Sequence, residues 1–212
     1  MPPLSANVTS TVGLVPGAAG GAIGYADLLG EQRARVVRLA LPTLFGAVAG
    51  TALLLATSDN TFEAIVPGLV AGSCLLLLLQ PRLTARMSQA GDEHSPLLTA
   101  GLLFSGAYAA YFGSAVGILL LALLGLFVAD SMQHLNGLKI LLAGIANLLA
   151  AVAYAFLAAV DWRFAVCLMV SSLVGGRLGA KLARRISGDA LRIAIALAGL
   201  VVAAVLAWQE FG

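Results

Sequence analysis

Lys139 stands alone as a charge within a long apolar stretch, three residues after Asn136, and Asn7-Val-Thr-Ser10 holds the corresponding place near the start of the chain. Amide, hydroxyl and ammonium groups in such surroundings are hydrogen-bond donors where no water is present to donate, and burying them without a partner is costly. An anion inside a membrane would need such donors, and Lys139 would add one fixed positive charge to it. Between these positions, Tyr108-Ala-Ala-Tyr-Phe-Gly-Ser114 brings two phenols and a hydroxyl to a glycine. A helix broken at that point would free backbone N–H groups, which also bind anions. The candidate contacts to a small anionic solute are therefore Asn7, Thr9, Ser10, Tyr108, Tyr111, Gly113, Ser114, Asn136, Lys139 and Asn147.

Each has a plainer reading. Lys139 can snorkel to headgroups from a helix end, Asn7 and Asn136 can cap helices, and Asn147 can bind a neighbouring helix. Tyr108 and Tyr111 can anchor at an interface. Other chemistries find little support. Ser114 and His134 could be imagined as nucleophile and base, but there is no G-x-S-x-G elbow and no H-E-x-x-H motif. No G-x-x-x-x-G-K-[ST] loop points to ATP. Cys74 and Cys167 each lie in an apolar run and read as small buried hydrophobes, without metal-ligand spacing. Neither a cofactor nor a metal is expected.

The elements that must position these side chains are membrane helices. Hydrophobic residues make up 60% of the 212 residues and charged residues 10%, against about 25% charged in a soluble domain. Mean hydropathy is +0.99. The fold class expected is all-α, a polytopic helical protein in the inner or plasma membrane, with the lipid bilayer and a small anion as partners. The net charge of +2 gives no cause to expect nucleic acid, because the basic residues sit in short loops rather than one patch. The N-terminus has no basic n-region followed by an unbroken apolar run, so no cleavable signal is expected.

In chain order, spans are expected over Asn7–Tyr25, Leu39–Thr57 and Phe62–Gln80, then Lys139–Val160, Phe164–Ala183 and Ala190–Trp208, the last capped by Ser187 or Asp189. Gly46 and Gly50, spaced for close helix approach, are packing positions, as are Gly175 and Gly179. Leu97–Val128 is the unusual stretch. Its 32 residues carry no Asp, Glu, Lys or Arg, too many for one span of about 20 and too few for two. An interruption over Gly106–Gly117 makes it a broken, re-entrant segment.

An internal repeat organises the chain. One constant offset of 129 aligns Asn7 with Asn136, Tyr25 with Tyr154, Gly46 with Gly175 and Gly50 with Gly179. Basic residues mark the loop 26–38 in the first copy (Arg33, Arg35, Arg38) but the later loop in the second (Lys181, Arg184, Arg185). By the positive-inside rule the copies are then inverted. Inversion demands that Leu97–Val128 enter and leave by the same face. The division is residues 1–80 as first repeat, 81–96 as polar linker, and 97–212 as second repeat opened by the broken segment. The symmetry would place a matching segment of about 30 residues before Met1, and a homo-oligomer could fill the groove its absence leaves.

Pro2-Pro-Leu-Ser-Ala-Asn-Val-Thr-Ser10, Tyr108-Ala-Ala-Tyr-Phe-Gly-Ser-Ala-Val-Gly117, Leu135-Asn-Gly-Leu-Lys139, Val160-Asp-Trp-Arg163 and Gly175-Gly-Arg-Leu-Gly-Ala-Lys181 resemble the sulfite exporter TauE/SafE family of bacterial permeases. The resemblance implies two related halves and the movement of sulfite, sulfonates or other small organosulfur anions; the inverted repeats would make that movement an alternating access of one half against the other. The sequence departs from that pattern in lacking the glycine-rich opening segment of the first half, and in carrying Arg177. A non-transporting membrane subunit or truncated permease is the alternative, with an intramembrane hydrolase behind it.

Overall fold

A computed structural model of the chain describes residues 2–23, 25–30, 32–85, 92–113, 116–183 and 201. Among these, all regular structure is helical: α1 (Pro3–Ile23), α2 (Ala26–Gly30), α3 (Arg33–Ala56), α4 (Asp59–Ala85), α5 (Pro96–Tyr111), α6 (Val116–Phe127), α7 (Met132–Leu157) and α8 (Trp162–Ala183). The expected span Ala190–Trp208, its Ser187 or Asp189 cap, Ser114, and residues 86–91 of the linker lie outside the described residues.

Local chemistry explains three of the helix starts. The Ser131 side chain accepts the His134 N–H to open α7, and the Ser95 side chain accepts the Leu97 N–H to open α5, with Pro96 in its first turn. Asp161 Oδ1 accepts from the Arg163 and Phe164 N–H groups at the head of α8. Asn7 and Asn136 are therefore not caps. Helix α1 starts at Pro3 and α7 at Met132, which places both asparagines in the second turn of their helices. The segment 26–38, expected as a loop, contains α2 and the first turns of α3, so Arg33, Arg35 and Arg38 are helical.

The helices pack in related pairs. Helix α1 lies on α8 and α3 lies on α7, while α1 and α7 pack on each other. Gly137 meets Tyr25, Gly21 meets Ile140 and Gly144 meets Ala18. Residue numbers fall along α7 as they rise along α1, so the two run antiparallel. The starts of α1 and α7 are separated by 129 residues, and so are those of α3 and α8.

The most extensive contact joins α3 to α5. A methyl group on Gly46 or Gly50 would strike the backbone of Leu103 or Ala107, and one on Gly106 would strike the backbone of Thr43. Small residues on both helices thus let the two backbones touch, as the Gly46/Gly50 spacing predicts. This corrects the expected extent of the interruption. Gly106 belongs to the α3 contact and stays helical; α5 runs on to Tyr111, and among the described residues only Phe112 and Gly113 after it are non-helical before α6 starts at Val116. There Gly113 adopts φ +75°, a left-handed conformation that costs a β-carbon-free residue little.

The two ends of the broken segment meet on one arginine. Arg35 Nη2 donates to Glu93 Oε1 at 2.8 Å, just before α5, and Arg35 Nη1 donates to Asp130 Oδ2 at 2.6 Å, just after α6. Arg38 adds a bond to Glu93 Oε2 at 2.7 Å, and His134 pairs with Asp130 Oδ1 at 2.7 Å. The segment is a hairpin whose entry and exit lie together, at the α3 N-terminus.

Outward-facing side chains are strongly apolar, among them Phe45, Leu53, Phe104, Phe156, Phe164 and Val170. Two described helices, Arg33–Ala56 and Gln133–Leu157, are long and apolar enough to cross a bilayer.

Burial pushes the Asp130 carboxyl upward, but hydrogen bonds from the Ser131 N–H, His134 and Arg35 outweigh it and hold the group below its ordinary value. A depressed carboxylate stabilises the fold above its unfolded-state pKa of about 4, and that contribution is lost as pH falls through the lowered folded-state value. Asp130→Asn should therefore lower the thermal midpoint in detergent at pH 7, with the gap to the parent protein closing as the pH falls through the lowered carboxyl value. Midpoints measured across that range check this.

Candidate functional site

The break between α5 and α6 exposes two kinds of helix end. The last carbonyls of α5 form its negative pole, and the first N–H groups of α6 its positive one. Every polar group left there needs a partner, since lipid supplies none. Tyr108 O accepts from the Phe112 and Gly113 N–H groups at 3.0 and 3.1 Å. Tyr154, on α7 and fully buried, donates its hydroxyl to Ala110 O at 2.6 Å. Asn7, on α1, donates Nδ2 to Tyr111 O at 2.9 Å. Side chains of two different helices thus finish the end of a third.

Beside this junction lies a cavity of about 340 Å³, lined by Ser10, Thr11, Leu14, Ala18, Phe112, Gly113 and Asn147. Its walls are α1, α7 and the broken turn. The Ser10 and Thr11 hydroxyls both donate to Asn7 O at 2.9 Å. Such back-bonds supplement the ordinary helical ladder, so either hydroxyl can swing to a ligand at little cost. Among the described residues Asn147 makes no hydrogen bond, which leaves its amide available to the cavity.

The sequence-predicted residues separate into groups. Ser10, Gly113 and Asn147 share the cavity wall. Asn7 and Tyr111 sit at the same junction but engage each other; the Tyr111 hydroxyl also lies 3.3 Å from Thr57 Oγ1, and its ring packs near Phe62. Tyr108 turns to α4, its hydroxyl 2.8 Å from Ser73 Oγ. Thr9 is buried and accepts the Asp161 N–H at 3.0 Å, joining α1 to the head of α8. Asn136 Nδ2 reaches the Tyr25 hydroxyl at 3.4 Å, while its Oδ1 is buried without a partner.

Lys139 does not line the cavity. Its stem lies against Gly117 in the first turn of α6, where a β-carbon would come within 3.6 Å of Lys139 Cδ. It makes no hydrogen bond or ion pair with the described residues. Its charge therefore adds to the positive pole of α6 instead of being spent on a carboxylate. Thr11 and Phe112 line the cavity and Tyr154 bonds at the break, and the candidate contacts include none of the three. The signal for Tyr154 is its pairing with Tyr25 at the repeat offset, which marks it as a polar residue retained inside an apolar helix.

The described residues hold no group of three or more His, Cys, Asp or Glu able to bind a metal ion. His134, the imagined base, is bonded to Asp130 at the hairpin mouth.

Comparison with known proteins returns a family model, "Sulfite exporter TauE/SafE", matching residues 1–206. A curated relative from Xylella fastidiosa (strain 9a5c), named "Probable membrane transporter protein", is 28% identical over 185 residues, covering 82% of this chain and 69% of its own. No solved structure matches the chain.

With Cys74 buried and Cys167 exposed, both must first be replaced by Ala or Ser. In that background Ser10→Cys and Asn147→Cys should react with a small water-soluble thiol reagent, while Val12→Cys, 5% exposed on the same helix, should not. Labelling followed by mass spectrometry reads the difference.

Proposed function

The chain belongs to the sulfite exporter TauE/SafE family, a family of membrane transporters, and on that premise we propose that it is a multi-pass permease of the inner or plasma membrane moving a small organosulfur anion such as sulfite or a sulfonate. The observation that carries this reading is the unpaired Lys139 laid along the first turn of α6. An uncompensated ammonium in an apolar helix is costly, and it persists where it serves a polar path. A broken helix also lines a cavity that carries the polar side chains of Ser10, Thr11 and Asn147 on its wall, the usual construction of a secondary transporter's site. The donors proposed to hold the anion are Ser10, Thr11, the Asn147 amide and the backbone near Gly113, with Lys139 supplying charge.

Two inverted repeats are part of the proposal. It draws support from the 129-residue separation of helix starts, from the antiparallel packing of α1 against α7, and from a hairpin that makes no net crossing. Alternating access then consists of one repeat moving against the other around the break. The basic residues Arg33, Arg35 and Arg38 support a hairpin mouth on the cytoplasmic side.

Purified protein in liposomes, assayed with radiolabelled sulfite, tests the reading. Lys139→Ala should lower uptake about ten- to hundredfold, the worth of one hydrogen bond to a charged group, and Lys139→Arg should retain most of it. Detergent-extracted yield and elution profile should match the parent protein. Undiminished uptake by well-folded Lys139→Ala would remove this residue from the path.

A further inference from the structure

Resting on the anion-permease reading above, we propose that Asn7 and Tyr154 are positioning residues that neutralise the carbonyl end of α5 and so make the break acceptable to an anion. A helix C-terminus is a poor neighbour for negative charge: its last four carbonyls lack intrahelical partners and carry the negative pole of the macrodipole. Here that end opens onto the cavity, whose wall includes Phe112 and Gly113. Left bare, it would favour a cation. Instead Tyr108 O is occupied by two backbone N–H groups, Ala110 O by the Tyr154 hydroxyl, and Tyr111 O by the Asn7 amide. Neither side chain has to touch the substrate; each acts through a carbonyl of α5.

The repeat supplies a contrast. The counterparts at the offset of 129, Asn136 and Tyr25, bond only weakly to each other at 3.4 Å, and Asn136 Oδ1 is left without a partner. The same two residue types therefore do different things in the two copies. Only the pair at the cavity closes a helix end, which distinguishes it from general interhelical glue.

A merely structural bond and a charge-neutralising one differ in what their loss changes. Tyr154→Phe removes one hydroxyl and keeps the ring; Asn7→Leu removes the donor and keeps the shape. In liposomes with radiolabelled sulfite, each should raise KM about fivefold, the worth of one hydrogen bond, while the maximal rate per folded protein stays within about twofold. Asn7→Gln, which restores a donor, should recover most of the lost affinity. An unchanged KM in folded Tyr154→Phe and Asn7→Leu, whatever happens to the maximal rate or the thermal midpoint, would overturn the proposal. Absence of saturable sulfite uptake by the parent protein would overturn the permease reading itself, and this inference with it.

Discussion

Arg35 is the constraint on which the rest depends. One guanidinium reaches a carboxylate on either side of a 32-residue apolar segment, Glu93 ahead of it and Asp130 behind it. A single fork with several donors in fixed directions suits this better than an ammonium would. With both ends held at one place, the segment has to fold back. Its turn must then fall where the chain can leave helical geometry, and the turn at Gly113 meets that need. The charged mouth and the polar tip of the hairpin are thus parts of one solution.

At the tip, the problem is to leave backbone unsatisfied enough to bind a solute but not so bare as to be unstable in lipid. The chain answers asymmetrically. Two carbonyls at the end of α5 accept from side chains of α1 and α7, whereas the amide end of α6 has Lys139 laid along it with no counter-ion among the described residues. On the proposed reading, the resulting field favours negative charge in the cavity beside the break. The close α3–α5 contact through Gly46, Gly50 and Gly106 gives the hairpin a rigid back against which its tip is held.

Much of this was legible in the sequence, and the remainder has physical reasons for its silence. The hairpin follows from arithmetic: Leu97–Val128 is longer than one span and shorter than two. Gly46 and Gly50 announce a packing face by their spacing, and Ser10, Gly113 and Asn147 stand out as polar or conformationally free residues in apolar helices. The Arg35 anchor is not legible, because its partners are 58 and 95 residues away and surface charges pair by proximity alone. Asn7 looked like a cap because it precedes an apolar run; Pro3 starts the helix a turn earlier and frees it for Tyr111. Gly106 looked like a breaker because intrinsic propensity disfavours glycine in helices, a preference that tertiary packing overrode. Tyr154 is a phenol in an apolar helix, and nothing local says which carbonyl it will meet.

The central claim, a hairpin that enters and leaves by one face, is tested most directly by topology labelling. Single cysteines at Pro96 and Ala129, in protein freed of Cys74 and Cys167, would be probed with a membrane-impermeant thiol reagent in right-side-out and inverted vesicles. The account predicts that both are modified in the same vesicle orientation and protected in the other. Modification of the two in opposite orientations would contradict it.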